Sequence, residues 1–429
     1  MRERAEIARQ VKNGSLDPEI SAKTRTTLKW TVTHHQKSVL VDYELADRAV
    51  GFVMGHNMLD EYWDTDAHSA QCREPSAKPA PNRGPRGFLP RQDISSRVTG
   101  PILEHLHHNF ASAWHKETGE DLLESRQAKQ VAPQLAFDSG TPLVAQLLRT
   151  QAQAGKRDIE KLHLQAVNNA TQFIYIENQY FRWPPLAEAI KQAALIQTAE
   201  GRDPGEHGAL HLFVITNATN DGMGAGTVNT QRMLESLGRE ETIPEVTKLR
   251  RIKQLKKDAP PRPMPDSRDH VGKRELEQWQ SELDEQIKKI TEHPINPTPV
   301  TGLKVHVCSL VAPDSPAGQD WVPVYIHSKL MIINDVFTTH GSANINTRSM
   351  QVDSELNIAH EWMSVTQALR RRLWGLHTDT RGAQDDPEEA FDIWRDIMNR
   401  NKKRQKSKTT PYAPLVEFYY GEANFKDLD

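Results

Sequence analysis

The stretch HHQKSVLVD occupies residues 34–42, and a near copy, HSKLMIIND, returns at 327–335. Each sets a histidine and a lysine two residues apart, His35 with Lys37 and His327 with Lys329, ahead of a run of Val, Leu and Ile. Residues two apart on a β-strand face the same side. Each imidazole and its ammonium therefore reach toward one point, while Val39 and Val41, or Leu330 and Ile332, anchor the strand. A small-residue turn ending in asparagine follows both copies: MGHN at 54–57, with Asn57, and GSAN at 341–344, with Ser342 and Asn344. An acid follows each turn, Asp64 at 29 residues beyond His35 and Glu355 at 28 beyond His327. Asp42 closes the first stretch; the second has Asn334 there, with Asp335 next. A lone His-x-Lys is ordinary strand surface, but two copies with matched asparagine and acid offsets spell a duplicated half-site.

Such a set suits a phosphodiester. Two lysines and two asparagines hold the non-bridging oxygens and stabilise transition-state charge. One histidine attacks phosphorus, giving a phosphohistidine, and the other protonates the leaving alcohol. Each acid is expected to bond the far nitrogen of its own motif's histidine, fixing its tautomer. No metal or other cofactor is required, because the lysines supply the positive charge.

The bulk numbers bound the partners. A net charge of −3 over 429 residues gives no global basic field for nucleic acid. Two cysteines, Cys72 and Cys308, make neither a disulfide framework nor a metal cluster. No apolar run is long enough to span a membrane, and the charged start MRERAEIARQVKNG is no signal peptide.

Along the chain, TTLKWTV (27–33), VLVD (39–42) and VGFVMG (50–55) read as strands, and residues 72–92 as a Pro/Gly/Arg-rich loop. Helices are expected from Pro101 to about Lys116, near 141–152, over 157–170 and over 184–199. FIYIEN (173–178), LHLFVIT (210–216) and LKVHVCSL (303–310) read as buried strands, and VPVYIHSKLMIIN (322–334) as a strand pair or one bent strand. LRRRLWGLH and EEAFDIWRDIMNR are helical. Residues 220–300 form a polar insertion; in it Leu276, Trp279, Leu283, Ile287 and Ile290 make one apolar stripe, expected to pack on the core. The basic segment 399–410 is expected to be solvated. Trp63 reads as core, and Trp183 as either core or the wall of an acyl groove.

HHQKSVLVD, IYIENQYF (174–181), YIHSKLMIIND and GSANINTRSMQVDSELNIAH (341–360) resemble the phospholipase D superfamily. That resemblance implies an α/β fold of two α/β/α lobes with mixed sheets and the site at their interface. It divides the chain into a first lobe at 1–130, short of upstream strands and hence N-terminally truncated, and a second at 131–429. It implies hydrolysis of glycerophospholipids to phosphatidic acid and a free alcohol, with His35 as nucleophile and His327 as general acid. Lys37, Lys329, Asn57 and Asn344 would hold phosphate; Asp42, Asp64, Glu355 and Ser342 would orient or support. ENQYFRWPPL and GTVNTQRMLESLG (226–238) are similar to bacterial effectors delivered by type VI secretion. That likeness implies a bacterial protein made in the cytoplasm and secreted into the periplasm of target cells, with an immunity protein and a secretion-spike component as partners. The alternatives are another phosphodiesterase, a nuclease or a phosphatidyltransferase of the superfamily, or a non-catalytic remnant that binds lipid or a partner.

Overall fold

The computed structural model describes residues 9, 11, 15–71 and 87–429; Cys72 and most of the 72–92 loop lie outside them. The fold is mixed α/β. Two β-structures carry the motifs. A three-stranded antiparallel sheet holds β1 (Ser38–Val41), β2 (Val50–Met54) and β4 (Ser95–Val98) in the order β1-β2-β4. Among the described residues the larger sheet has 11 strands. They are β3 (Arg91–Gln92), β5 (Ala145–Gln151), β6 (Lys156–Arg157), β7 (Phe173–Asn178), β8 (Leu210–Ile215), β9 (Leu303–Val311), β10 (Pro323–Ile326), β11 (Lys329–Ile333), β12 (Phe337–Gly341), β13 (Glu355–His360) and β14 (Leu415–Glu417). The order is β3-β10-β9-β8-β7-β11-β12-β13-β5-β6, with β14 beside β9. Strands β7, β8 and β9 run parallel, and β11, β12 and β13 are antiparallel neighbours.

Period-two alternation sorts the side chains of the central strands into two cores. Ile174, Ile176, Leu212, Val214, Met331 and Ile333 face helices Asp158–Asn168, Pro184–Ala199 and Thr227–Ser236. Phe173, Tyr175, Phe213, Ile215, Leu330 and Ile332 face helices Met363–Thr378 and Pro387–Lys406. Covered on both sides, these strands read as continuous apolar runs. The small sheet packs helix Ile102–Thr118 through Leu103 and Leu106, and the same core takes in Leu356 and Ile358 of β13. Trp183 is fully buried in the first core. Among the described residues no helix is long and apolar enough to cross a membrane.

Four local expectations change. Residues 27–30 belong to a helix, Ala22–Trp30, not a strand; Ser21 caps it by accepting from the Thr24 amide at 3.0 Å, and Thr24 and Leu28 are its buried face. Residues 145–151 form β5, because β13 offers them a full antiparallel ladder and alternate positions are covered. The insertion stripe is half-buried on the preceding helix, Pro244–Asp258, as a helical hairpin and not on the sheet. Trp63 is 47% exposed and not core; the basic segment has the exposed lysines expected of it and is helical as far as Lys406.

Asn334 sits at φ 52° in the turn from β11 to β12, as Asp42 sits at φ 54° after β1. The Asn334 Oδ1 accepts from the amides of Thr171, Gln172 and Phe173 at 3.2, 2.9 and 3.2 Å. Its amide nitrogen donates to Asn169 O and Thr171 Oγ1. Asparagine tolerates left-handed backbone better than most residues, and here its side chain staples the turn to the start of β7. The Asp335 carboxylate beside it takes the buried Arg370 guanidinium at 2.9 and 2.5 Å. Asn334→Ala should therefore lower stability by about 2–3 kcal/mol, read as a shifted urea midpoint. Asn334→Asp, which keeps the acceptor, should cost less.

Candidate active site

The two motifs are assembled by the same local device. The amide of His327 donates to Gln92 O at 2.8 Å, where Tyr325 and Ile326 run parallel to Arg91 and Gln92. The amide of His35 donates to Ser354 O at 2.9 Å, where His34 forms a parallel bridge to Ser354. Each histidine thus lies beside the residue that follows its backbone partner, Gln92 or Ser354, and that residue is an acid. His35 Nδ1 is 2.9 and 3.0 Å from the Glu355 carboxylate oxygens. His327 Nδ1 is 2.6 Å from Asp93 Oδ2. An ionised carboxylate only accepts, so Nδ1–H donates in both pairs and Nε2 is left for chemistry.

The acids are therefore exchanged between motifs. Glu355 serves His35, not His327 of its own motif. Asp64 meets neither catalytic candidate: it accepts from the Arg91 and Thr65 amides and lies 3.4 Å from His68 Nδ1. Asp93 takes the place expected of Asp64. The first unit departs in spacing because a long loop separates the GHN turn from β4. A sequence signal existed: in DISSRV (93–98) an acid opens an alternating strand, as in ELNIAH (355–360). β4 pairs with β2 as β13 pairs with β12.

Lys37 Nζ donates to His35 O at 3.0 Å, and Lys329 Nζ donates to His327 O and to Gln179 Oε1. Gly55 N donates to Ile94 O and Ser342 N to Leu356 O, so the GHN and SAN turns occupy matching places. Ser342 Oγ donates to Glu355 at 2.5 Å and Ser349 Oγ at 2.6 Å. Asn344 is buried and its Oδ1 has no protein partner. Asn57 is half-buried in the loop that also lines a cleft with Asp93 and Arg91. Asp42 is exposed and remote from these groups, a turn residue.

Burial dominates the electrostatics. It pushes the Lys329 ammonium down to about 7, with Lys37 adding repulsion and Asp93 and Glu355 opposing it. It lowers Lys37 as well, against the pull of Glu355 and Asp93. Burial raises Asp93 to about 6, although Lys329 acts the other way. His327 is driven well below the usual imidazole range by burial, then by Lys329, Lys37, His35 and Arg91. Both histidines, both lysines and both acids thus share one electrostatic site. His35 is the more open imidazole, 28% exposed against 4% for His327.

A buried polar chain runs beneath. The His68 Nε2 and Gln92 Oε1 lie 2.8 Å apart, Gln92 Nε2 donates to Glu177 Oε1 at 2.8 Å, and Glu177 Oε2 takes Tyr175 OH at 2.7 Å and His377 Nε2 at 2.9 Å. Burial alone would raise Glu177, but these bonds outweigh it and hold the carboxyl at about 2. ENQYF carries two more supports: Asn178 Oδ1 accepts from the Tyr180 and Ile345 amides, and Gln179 holds Lys329. Beside His327, Tyr62 meets its ring edge-on at 4.8 Å, and Arg91 stacks over Tyr62 and Tyr325 at 4.3 and 4.9 Å.

Comparison with known proteins shows what the sequence is similar to. A family model described as phospholipase D matches residues 5–184, which include His35, Lys37, Asp93 and Glu177. The chain is 27% identical to phospholipase D alpha 1 of Oryza sativa subsp. japonica over 416 residues, covering 81% of this chain and 46% of that protein. It is 26% identical to phospholipase D alpha 1 of Arabidopsis thaliana over 406 residues, covering 76% and 45%. The chain thus spans about half the length of the curated relatives it matches. Among solved structures, phosphatidylserine synthase of Haemophilus influenzae aligns at 12% identity over 95% of this chain and 78% of that one, with a TM-score of 0.36. On these matches, residues 5–184 are similar to the phospholipase D family, and most of the chain is similar to about half of the plant phospholipases D.

Proposed function

We propose that the chain is a phospholipase D, hydrolysing the distal phosphodiester of a glycerophospholipid to phosphatidic acid and a free head-group alcohol. The observation that carries the reading is the crossed pairing, His35 with Glu355 and His327 with Asp93, around two buried lysines. A phosphodiester anion entering there meets two ammonium groups already stripped of water. Their attraction for it is far stronger than in bulk solvent.

His35 Nε2 attacks phosphorus. The P–O bond to the head group breaks, and His327 gives its Nε2 proton to the departing alkoxide. Lys37, Lys329, Asn57 and Asn344 hold the non-bridging oxygens. A water then gives its proton to His327 and its oxygen attacks phosphorus. The P–N bond breaks, freeing His35 and phosphatidic acid. An alcohol in place of water would transfer the phosphatidyl group. The pairs support this division of roles. Glu355 accepts from His35 and from two serines, so its carboxylate is held in one place behind the nucleophile. Asp93 and His327 share a proton across 2.6 Å in a buried place, which suits an acid that later becomes a base. The depressed affinity of His327 arises partly from neighbouring cations; a bound phosphodiester offsets them and restores the proton.

The plant relatives support a phospholipid substrate. Delivery by type VI secretion, with an immunity protein and a spike component as partners, rests on the likeness of ENQYFRWPPL and GTVNTQRMLESLG alone.

Incubated with mixed phospholipid vesicles, the chain should release phosphatidic acid, and an alkaline denaturing quench should trap the phosphatidyl group on His35. Label on His327 instead would reverse the two roles. His35→Ala, His327→Ala and Asp93→Asn should each lower kcat by about 10²–10⁴-fold, while Asp64→Asn should stay within severalfold. Full turnover in Asp93→Asn would remove the crossed-pair mechanism.

The pH dependence has a fixed sign. The Asp93–His327 pair of the free enzyme loses its extra proton near 6, and Lys329 loses its charge near 7. Both losses disable the site, so kcat/KM should fall as pH rises through 6 to 7. A limb in the opposite direction there would contradict the assignment.

A further inference from the structure

The cleft beside His327 opens onto a surface whose chemistry the catalytic residues do not explain. It measures about 830 Å³ and its walls include Tyr62, Arg91, Val324, Trp321 and Tyr325. Lys402 and Lys406, four apart and therefore on one face of helix Pro387–Lys406, line its opposite rim. The near rim is a loop whose large apolar side chains point outward. Met58 is 72% exposed, Leu59 55% and Trp63 47%, and Phe88 on the adjoining segment is 69% exposed. Tyr62 and Arg91 belong both to the cleft and to the hollow lined by Met58, Leu59 and Trp63, so the two rims border one opening. Two acids on this border are paired, Glu61 with Arg91 at 3.5 Å and Glu417 with Lys402 at 3.3 Å and Arg239 at 3.4 Å, while Asp60 and Asp221 also line it and limit the positive charge to the Lys402–Lys406 side. Exposed apolar side chains beside a basic rim are the combination that holds a protein on an anionic lipid surface.

Building on the phospholipase reading, we propose that this face docks on an anionic phospholipid bilayer. Met58, Leu59, Trp63 and Phe88 enter the headgroup region, Lys402 and Lys406 contact anionic headgroups, and the mouth of the cleft is set against the membrane. A lipid then moves from bilayer to His35 and His327 without crossing bulk water. The overall charge of −3 is consistent with a local rim acting where the whole molecule would not.

The test is vesicle flotation with the full chain bearing His327→Ala, so that bound lipid is not consumed. Vesicles are phosphatidylcholine alone or phosphatidylcholine mixed with phosphatidylglycerol. Binding should favour the mixed vesicles and weaken with salt. Met58→Ser with Phe88→Ser, and separately Lys402→Gln with Lys406→Gln, should each reduce it about tenfold or more. Equal binding by either pair, or no binding by the parent, would overturn the proposal. Circular dichroism on each variant checks folding; these exposed substitutions should leave the melting curve in place. The Met58/Phe88 pair, made in the active chain, should also keep its turnover of a short-chain monomeric phosphatidylcholine. Parallel loss there would mean a damaged site and count against docking. Vesicle binding by the His327→Ala chain, with no phosphatidic acid from the parent, would leave docking standing and remove the phospholipase reading.

Discussion

Two ammonium groups held out of water in one place repel each other and lose hydration; the site exists because two buried carboxylates offset that cost. Lys37 and Lys329 both feel Asp93 and Glu355. Neither motif supplies the acid for its own histidine. Glu355 is brought to His35 by the bridge at Ser354, and Asp93 to His327 by the parallel pairing of β10 with β3. Separating the His35–Val41 segment and the small sheet from the large one would take Glu355 away from both His35 and Lys37. Assembly of the fold and assembly of the site are consequently one event, and the crossed hydrogen bonds are part of what joins the sheets.

The duplication is not symmetrical, and the asymmetry has chemical content. In the second unit Ser342 stands where the first has Gly55. Ser342, with Ser349, donates to Glu355. Gly55 has no side chain to donate, and a Cβ there would strike the Asp93 carboxylate. Asp93 is left with His327 and the Ile94 amide as donors. One carboxylate is saturated with donors; the other is starved of them and buried, so its proton affinity rises to about 6. Two copies of one motif thereby place a donor-saturated carboxylate behind His35 and a donor-poor one beside His327.

The paired motifs, the SAN and GHN turns and the central strands were legible because their signals are local. Strands covered on both faces are apolar throughout, and His-x-Lys fixes its own geometry through the strand period. The partner of each histidine was not legible in the same way. Which acid meets which imidazole depends on docking between segments hundreds of residues apart, and spacing along the chain does not encode it. Asp64 satisfied the spacing through a coincidence of loop length. Residues 145–151 and 27–30 failed for a related reason: the exposed edge of β13 recruited the first into a ladder, and the Ser21 cap committed the second to a helix. Asn334 departs from the acid expected at its position, and the structure gives a physical ground: an amide both accepts from the β7 lead-in and donates to it, which a carboxylate could not do.

Asp64 is nonetheless connected to the site, through intermediates. It anchors the Arg91 amide and lies against His68, whose other nitrogen meets the Gln92 side chain. Gln92 donates to Glu177, and Glu177 is fixed by Tyr175 and His377 in the second core. The carbonyl of that same Gln92 receives the amides of His327 and Ser328. A buried amide with both ends bonded can adopt few positions. The backbone it belongs to is therefore set by β7 and by helix Met363–Thr378, and it sets the height of His327 in turn. Glu177, the penultimate residue of β7, is thus where the rigidity of the central sheet is handed to His327.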